Sequence, residues 1–360
     1  MAIFTAVKKN NYNVIGVMSG TSLDGVDLAL LTFTKNSGWS YKILAAETVP
    51  YSAAWEESLS KSAFLEPQDF QSLNEEYTDL LAEVILSFLR KHQLKDLDAV
   101  CSHGHTVRHE PENRYTLQIG NLPKLAKRIG ELVVCDFRVQ DVEMGGQGAP
   151  LVPIGDELLF PEYEYCLNLG GFANISTRKN GHRIAYDICA VNTVLNFLSN
   201  KLGKPFDADG AFAASGELNE DLLKRLNFLP FYSLQPPKSL GIEWVNRHIF
   251  PLFDTSVPVE DLLHTYSIHA AVQIASEIKG TSEEKVLLTG GGTFNSFLIE
   301  QIRKRTAVEL VIPSKEVVNF KEALIFGFLG VLKLRGENNV LSAVTGAPKD
   351  HSSGTIFKPD

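Results

Sequence analysis

The stretch that decides the fold is Gly16-Val17-Met18-Ser19-Gly20-Thr21-Ser22-Leu23-Asp24-Gly25-Val26-Asp27, a polar insert in an apolar, β-branched segment. That segment runs from Asn13 to Phe33, and the insert divides it into two short runs. Runs of this kind on either side of a glycine-rich insert are typical of antiparallel strands joined by a turn. The sequence therefore predicts a β-hairpin here, followed by a third strand at Tyr41–Val49.

Helical and strand patterns alternate after this hairpin. Apolar residues at helical spacing predict a helix over Pro67–Gln93. The other first-half predictions are strands over 99–102, 115–119 and 132–136 and a helix over 122–129. The second half repeats the scheme, with strands over 165–176, 183–187, 286–288 and 309–312 and helices over 191–202, 259–278, 297–305 and 321–334. This pattern predicts an α/β protein with mixed sheets.

Length and composition restrict the class of protein. The 360 residues suggest about two domains. We expect these at residues 1–160 and 161–360, with the last helices able to cross back to the first domain. A net charge of −9 argues against nucleic-acid or anionic-membrane partners, because phosphate contacts need clustered Lys and Arg. No apolar stretch approaches the ~20 residues of a membrane span, so we expect a cytoplasmic protein. The cysteines lack CxxC spacing, which predicts buried thiols rather than a closed zinc site: Cys101, Cys135, Cys166 and Cys189.

The polar insert has the composition of a phosphate-binding turn. Glycines let a backbone approach a ligand closely, and turn N–H groups with hydroxyls can hold phosphate oxygens. A nearby carboxylate could hold Mg²⁺ directly or through water. The same residue types are also common in ordinary hairpin turns, so both interpretations stay open on the residues alone.

A second glycine turn, Gly290-Gly291-Gly292, follows a predicted strand and precedes a predicted helix. The N-terminus of a helix carries positive partial charge and free N–H groups, which favours a phosphate site over a simple tight turn. The chain contains neither GxxxxGK[ST] nor GxGxxG. A P-loop is therefore excluded, and a dinucleotide fold has no support.

Four further side chains have two interpretations each, and a fifth, Glu322, has one. Asp187 comes between a predicted strand and a helix, where it could cap the helix, the favoured reading, or act as a general base. Arg138 could clamp an anion or join a buried ion pair. His103 and His105 could bind zinc, but no motif supplies the third protein ligand, so a polar substrate loop is favoured. Glu322 opens the last apolar helix, where an acidic residue suits the N-terminus.

Together these segments resemble the anhydro-N-acetylmuramic acid kinase family, within the superfamily of sugar kinases, actin and Hsp70 ATPases. The matching text runs in family order over almost the whole chain. It comprises GVMSGTSLDGVD (16–27), SHGHTVRHEP (102–111), LQIG (117–120), DFR (136–138), GGQGAPLVP (145–153), NLGGFANIS (168–176), PPKSLGIEWVN (236–246), TGGGTFN (289–295), EALIFGFL (322–329) and VTGA (344–347).

The resemblance implies two RNase-H-like (actin-like ATPase) domains flanking a nucleotide and sugar cleft. It implies an ATP- and Mg²⁺-dependent kinase that hydrolytically opens 1,6-anhydro-N-acetylmuramic acid and phosphorylates O6. The product would be N-acetylmuramic acid 6-phosphate, in peptidoglycan recycling. A nucleotide-switched regulatory ATPase without sugar chemistry is the alternative on the same fold. A small sugar is the expected partner, and a homodimer is left open.

Residue roles follow from the matching segments. Asp187 matches the general base that activates a water, and Glu322 matches a carboxylate near the reacting sugar. The candidate ATP and phosphate contacts are Gly20, Thr21, Ser22, Leu23, Asp24, Gly25, Val26, Asp27, Gly290, Gly291 and Gly292. Asp24 is also the candidate Mg²⁺ ligand, and the candidate sugar contacts are Thr106, Arg138 and Asn174.

The chain departs from the usual family text at two places. The segment after the base reads Asp187-Ile188-Cys189-Ala190-Val191-Asn192, where the family has DTGPGN. His105 stands where the family usually has Gln, and a histidine can titrate near neutral pH whereas a glutamine cannot. Both departures bear on sugar recognition more than on the phosphate chemistry.

Overall fold

The computed structural model of the chain describes residues 9–20 and 23–360. The strands are β1 (Asn11–Ser19), β2 (Val26–Lys35), β3 (Trp39–Val49), β4 (Ala99–Glu110), β5 (Tyr115–Ile119), β6 (Val133–Cys135), β7 (Tyr165–Leu169), β8 (Phe172–Lys179), β9 (His182–Ala190), β10 (Lys285–Thr289), β11 (Glu309–Val311) and β12 (Thr355–Phe357).

The helices are α1 (Ala53–Lys61), α2 (Pro67–Lys91), α3 (Lys124–Ile129), α4 (Val139–Glu143), α5 (Pro153–Leu159), α6 (Asn192–Lys201), α7 (Ala211–Ser215), α8 (Glu220–Asn227), α9 (Ile242–His248), α10 (Val259–Glu277), α11 (Ser296–Arg303), α12 (Lys315–Leu334) and α13 (Ser342–Thr345). Short 3₁₀ turns cover Ser62–Phe64, Pro111–Asn113, Ala208–Gly210, Pro230–Ser233, Phe250–Leu252 and Gly291–Phe294.

The chain divides into two compact units. Unit 1 comprises Met1–Phe160 and Phe320–Asp360, and unit 2 comprises Pro161–Asn319. The predicted second domain extended to residue 360, with the last helices able to return, whereas here Phe320–Asp360 belongs to unit 1. Helix α12 passes from one unit to the other and is kinked at Phe320, where φ is −118° and ψ is 19°.

Unit 1 is built on a seven-stranded sheet in the order β12-β6-β4-β1-β2-β3, with β5 paired to β4. β1 and β2 are antiparallel, which confirms the predicted hairpin, while β4 runs parallel to both β1 and β6. Alternating side chains of β1 and β2, including Ile15 and Leu28, pack with α2 residues such as Tyr77 in one buried cluster. The predicted helix over Pro67–Gln93 is thereby confirmed as α2.

Unit 2 repeats this arrangement in a five-stranded sheet of order β11-β10-β7-β8-β9. The strands β7, β8 and β9 are antiparallel neighbours, and β10 is parallel to both β7 and β11. Helix α10, with Tyr266 at its centre, packs within the core. Both units therefore have the strand order that an RNase-H-like fold implies, and the predicted mixed α/β class is confirmed.

Several local predictions are wrong for identifiable reasons. The single strand predicted over 165–176 is a hairpin, because Gly170 and Gly171 separate β7 from β8. The loop-rich stretch before residue 259 contains the short helices α7, α8 and α9. Other features agree with expectation: the cysteines are buried free thiols. Among the described residues, the helices are too short or too polar to cross a membrane.

Candidate active site

The backbone of the turn between β1 and β2 packs closely against the backbone at the end of β3. Ser19 pairs with Val26 at the base of the hairpin, and the Leu23 N–H donates to the Gly20 carbonyl at 3.4 Å. Leu23 and Gly25 have φ values of 59° and 152°. A Cβ added at Gly25 would lie 2.4 Å from the Val49 carbonyl oxygen, so this position requires glycine. The predicted contacts Thr21 and Ser22 lie outside the described residues.

Carboxylates gather beside this turn. Asp24 is exposed, whereas Asp27 is half-buried and accepts a hydrogen bond from Thr48 Oγ1 at 2.5 Å. Burial raises the pKa of Asp27 to about 6; the Thr48 hydrogen bond opposes this shift, and the charges of Asp24 and Glu322 add to it. The structure thus brings two predicted residues of the turn, Asp24 and Asp27, into electrostatic range of Glu322.

Glu322 lies just after the kink in α12. Desolvation by the surrounding protein raises the pKa of its carboxyl; Arg138 and Lys321 lower that pKa, and Asp24 raises it. The side chain nevertheless keeps solvent-accessible surface, so a ligand can reach it. Sequence reasoning missed its neighbour Lys321, which forms a buried ion pair with Asp156 at 2.7 Å. No sequence spacing connects these two residues, because they meet only through the return of α12.

Arg138 is held by two hydrogen bonds. Its Nε donates to His103 Nε2 at 2.8 Å, and its Nη1 donates to the Gly148 carbonyl at 2.7 Å. Burial lowers the pKa of Arg138 to about 10, and the charge of Glu322 raises it, so the guanidinium stays charged near neutral pH. An oriented, charged guanidinium is what the anion-clamp interpretation requires.

His103 is occupied by this arrangement. Since its Nε2 accepts from Arg138, the ring proton is on Nδ1, which donates to the Gly104 carbonyl at 2.9 Å. Burial lowers the pKa of His103 well below its usual value, so the ring is neutral. Among residues 9–20 and 23–360, no group of three His, Cys, Asp or Glu side chains is placed to hold a metal ion. The zinc interpretation therefore gains no support.

Two further residues of β4, His105 and Thr106, contact different neighbouring strands. His105 pairs in register with Ser19, and its Nδ1 lies 2.8 Å from Ser19 Oγ. Thr106 is half-buried, and its hydroxyl accepts from Gln118 Nε2 at 3.4 Å. The sequence predicted that His103, His105 and Thr106 follow a strand that ends at residue 102. In the structure all three lie within β4.

In unit 2, three polar side chains line up across neighbouring strands. Asn168 of β7 pairs with Asn174 of β8, and Asn174 pairs with Asp187 of β9. Directly opposed residues of antiparallel strands share one face of a sheet. The structure therefore brings together the predicted residues Asn174 and Asp187 and adds Asn168. Sequence reasoning missed Asn168 even though it opens the NLGGFANIS segment.

Asp187 is fixed by the segment that follows Pro236-Pro237. Its Oδ2 accepts from the Leu240 N–H at 2.8 Å, and its own N–H donates to the Lys238 carbonyl at 3.0 Å. Burial raises the pKa of Asp187, and the Leu240 hydrogen bond opposes that shift. The helix-cap interpretation is wrong: β9 continues to Ala190, and the N-cap of α6 is Val191.

Lys238 holds the segment after Pro236-Pro237 in place through buried contacts. Its side chain is only 3% exposed and reaches Glu277 at 3.3 Å. The same carboxylate accepts from the Tyr186 hydroxyl at 2.9 Å, and the Lys238 ammonium lies 5.2 Å from the Phe231 ring centroid. The cluster ties the segment that holds Asp187 to helix α10.

The triple-glycine turn also excludes side chains. Gly290 has a φ of 83°, and a Cβ there would lie 2.6 Å from Asn168 Oδ1. A Cβ at Gly292 would lie 2.8 Å from Leu169 Cβ, whereas Gly291 is open. Gly291 and Gly292 begin a 3₁₀ turn that precedes α11, whose Leu298 N–H is capped by Asn295 Oδ1 at 2.9 Å. The predicted order of strand, glycine turn and helix is confirmed, and the structure adds a 3₁₀ turn between Gly290 and α11.

Known proteins resemble this chain over nearly its full length. A sequence model of the family described as "Anhydro-N-acetylmuramic acid kinase" matches residues 12–359. The protein of that name from Mannheimia succiniciproducens is 35% identical over 370 residues, covering 95% of this chain and 98% of that protein. Its namesake from Vibrio cholerae is 32% identical over 366 residues, covering 96% and 98%. Among solved structures, xylulose kinase from Lactobacillus acidophilus covers 97% of this chain and 94% of its own, with 10% identity and a TM-score of 0.44.

Proposed function

The chain belongs to the anhydro-N-acetylmuramic acid kinase family, and we propose that it opens 1,6-anhydro-N-acetylmuramic acid with water and phosphorylates O6 with ATP. The product is N-acetylmuramic acid 6-phosphate, formed from a peptidoglycan fragment in the cytoplasm. The observation that carries the proposal is Asp187, a carboxylate fixed by Leu240 on the same sheet face as Asn168 and Asn174. The relatives reported above are named kinases, which favours this function over a regulatory ATPase.

Asp187 acts as the general base. Its carboxylate takes a proton from water, the water oxygen bonds to the anomeric carbon, and the bond from that carbon to O6 breaks. The freed O6 electron pair bonds to the γ-phosphorus, and ADP leaves with the electrons of the broken phosphoanhydride bond. A base whose pKa lies closer to the working pH transfers protons more effectively, and burial raises the pKa of Asp187 in that direction.

The remaining polar groups bind and orient the sugar. N-acetylmuramic acid carries a carboxylate, which can pair with the charged guanidinium of Arg138. Hydrogen bonds to His103 and to the Gly148 carbonyl hold this guanidinium in place. Thr106 and Asn174 are assigned to sugar hydroxyls. Glu322 is accessible, and its carboxylate interacts electrostatically with the Arg138 guanidinium. We assign it to the reacting region of the sugar.

The two glycine turns are assigned to the phosphates. In the segments Gly20–Asp27 and Gly290–Gly292, the backbone can approach phosphate oxygens closely at Gly25, Gly290 and Gly292, where a Cβ would collide with neighbouring atoms. Phosphoryl transfer depends on such positioning and on neutralising charge.

The residues beside the first turn fit Mg²⁺. Asp24, Asp27 and Glu322 supply hard oxygen donors whose mutual repulsion a divalent cation would relieve. The described residues offer no three-ligand cage, which suits an ion held by one or two carboxylates, water and phosphate. Asp24 is the assigned ligand, and the bound ion would neutralise the developing phosphate charge.

The test is ADP release from Mg-ATP in the presence and absence of the anhydro sugar. We expect release to depend on the sugar, and Asp187→Asn to lower kcat about 10²- to 10⁴-fold, the usual contribution of a general base. Asp254→Asn is the matched control, because the Asp254 carboxylate of the same unit accepts from Ser256, two residues along the chain. ATP hydrolysis that ignores the sugar and survives Asp187→Asn would instead support the regulatory ATPase.

A further inference from the structure

Two segments that carry the family resemblance have no role in the steps described so far, those at residues 145–153 and 344–347. The structure brings them together within unit 1, where the Gln147 N–H donates to the Thr345 carbonyl at 2.7 Å. Both segments meet at the side chain of Asp141, which lies in α4 and is fully buried. This carboxylate is three residues after Arg138, the assigned contact of the sugar carboxylate.

The Asp141 carboxylate accepts a hydrogen bond from each segment. Its Oδ2 accepts from the Gly148 N–H at 2.6 Å, and its Oδ1 accepts from the Thr345 hydroxyl at 2.8 Å. The buried ring of His351 also lies close, with Nε2 at 3.6 Å from Oδ1. A Cβ at Gly146 would lie 2.3 Å from Oδ2, so the loop passes the carboxylate at the closest distance that a backbone allows. The carboxylate therefore ties the loop to the C-terminal segment.

Gly148 connects this carboxylate to Arg138. Its N–H is held by Asp141, and its carbonyl accepts from Arg138 Nη1 at 2.7 Å. Because His103 accepts from Arg138 Nε at 2.8 Å, the guanidinium is fixed through two of its nitrogens, and neither bond uses Nη2. Arg138 keeps solvent-accessible surface, as contact with a ligand requires.

We propose that Asp141 and Thr345 are positioning residues for the substrate: they fix Gly148, and the Gly148 carbonyl orients the Arg138 guanidinium toward the carboxylate of the anhydro sugar. The inference rests on the proposed function for the identity of the ligand. It does not rest on it for the order of the guanidinium, which is a property of the free protein. If the same contacts served stability alone, their loss would leave Arg138 unchanged.

The test compares two substitutions of Thr345 in the full chain. Thr345→Val removes the hydroxyl that Asp141 accepts and keeps the shape of the side chain, whereas Thr345→Ser keeps the hydroxyl. Thr78→Val is the matched control, because Thr78 is a fully buried threonine of the same unit whose hydroxyl bonds the Asn74 carbonyl within α2. Circular dichroism identifies a temperature at which all of these variants are folded, and both measurements are made there.

The first measurement is ¹⁵N NMR of arginine-labelled protein without substrate. The Arg138 Nε–H signal is assigned by its loss in Arg138→Lys. We expect its exchange with solvent to be about 3- to 10-fold faster in Thr345→Val, the equivalent of one weakened hydrogen bond, and unchanged in Thr345→Ser and Thr78→Val. Equal exchange rates in Thr345→Val and the wild type would overturn the proposal, whatever the substrate is.

The second measurement is steady-state kinetics with both substrates. Thr345→Val should raise KM for the anhydro sugar about 3- to 10-fold with KM for ATP unchanged, and Thr345→Ser should restore the wild-type value. Faster exchange with an unchanged sugar KM, or an equal rise in both KM values, would contradict a role in sugar binding. Faster exchange in a protein whose wild type does not act on the sugar would support the positioning of Arg138 and count against the proposed function.

Discussion

The ionisation of the single residue Asp27 affects the stability of the folded protein. Its carboxyl has a pKa of about 6 in the folded protein, against about 4 for a free aspartate. A folded state that binds the proton more tightly loses stability as pH rises from about 4 to 6. The charged form of Asp27 at neutral pH therefore lowers the stability of the folded protein, and a bound cation would offset that loss.

Replacing this charge should stabilise the protein at neutral pH. We expect Asp27→Asn to raise the free energy of unfolding by about 1–2 kcal/mol at pH 7.5 and to have little effect near pH 4, where the carboxyl is already protonated in the folded state. Asn can still accept from Thr48, so the local hydrogen bond survives. Urea unfolding with EDTA at both pH values measures this difference.

Asp254→Asn serves as the control for the Asp27 substitution. Hydrogen bonds from Ser256 lower the pKa of Asp254, so its replacement should not stabilise the protein at pH 7.5. Equal effects of Asp27→Asn at the two pH values would show that the carboxyl of Asp27 is not strained by its surroundings.

At the scale of the elements, the segment before α9 sets the position of the base. Lys238→Met should lower kcat about tenfold while KM for ATP stays near the wild-type value, because the buried pair with Glu277 holds the segment that donates Leu240 N–H to Asp187. Steady-state kinetics with both substrates measures the split. Lys224→Met, at an exposed pair on α8, is the control and should be neutral. A tenfold rise in the KM for ATP with normal kcat would contradict a role for Lys238 through Asp187.

The elements show where sequence reasoning succeeded. Apolar and β-branched runs around the polar insert predicted β1 and β2, whose side chains are buried along most of both strands, and apolar residues at helical spacing predicted α2. The triple glycine was correctly predicted to form a turn between a strand and a helix, whereas the 3₁₀ conformation of Gly291–Phe294 was not predicted.

Other features could not be predicted from local patterns. The strand β9 continues beyond Asp187 because β8 pairs with it as far as Ala190, and this long pairing decided against the helix cap. Hydrogen bonds join Ser19 to His105, Ser19 to Tyr51 and Tyr51 to Tyr77, although these pairs are 86, 32 and 26 positions apart in the sequence. Such contacts arise only from the tertiary fold.

At the scale of the whole molecule, the same strand order occurs in both units, yet only unit 2 is continuous in sequence. Unit 1 needs α12, because the backbone of β1 packs so closely on it that a Cβ at Gly16 would lie 1.9 Å from the Ala323 carbonyl oxygen. Its sheet also needs β12, which pairs with β6.

This difference predicts how fragments behave. A fragment of residues 161–319 should unfold cooperatively, because its sheet and core lie inside that range. A fragment of residues 1–160 should not, because it lacks α12 and β12. Thermal unfolding followed by circular dichroism compares the two fragments. Cooperative unfolding of residues 1–160 alone would contradict the dependence of unit 1 on its C-terminal part.

The net charge of −9 acquires a specific meaning for the whole chain. It argued against nucleic acids, yet the proposed ligands are themselves anions. Binding must then depend on local groups rather than on the overall field: backbone N–H groups of the two glycine turns, the Arg138 guanidinium, and Mg²⁺.

The central claim is that water opens the anhydro ring while O6 receives the phosphoryl group. The direct measurement is to incubate the full chain with Mg-ATP and 1,6-anhydro-N-acetylmuramic acid in ¹⁸O-water and to determine the early product by mass spectrometry. We expect one heavy oxygen per product molecule, at the anomeric carbon, and none in the transferred phosphate. A product without heavy oxygen, or heavy oxygen found in phosphate released from ATP, would contradict this claim.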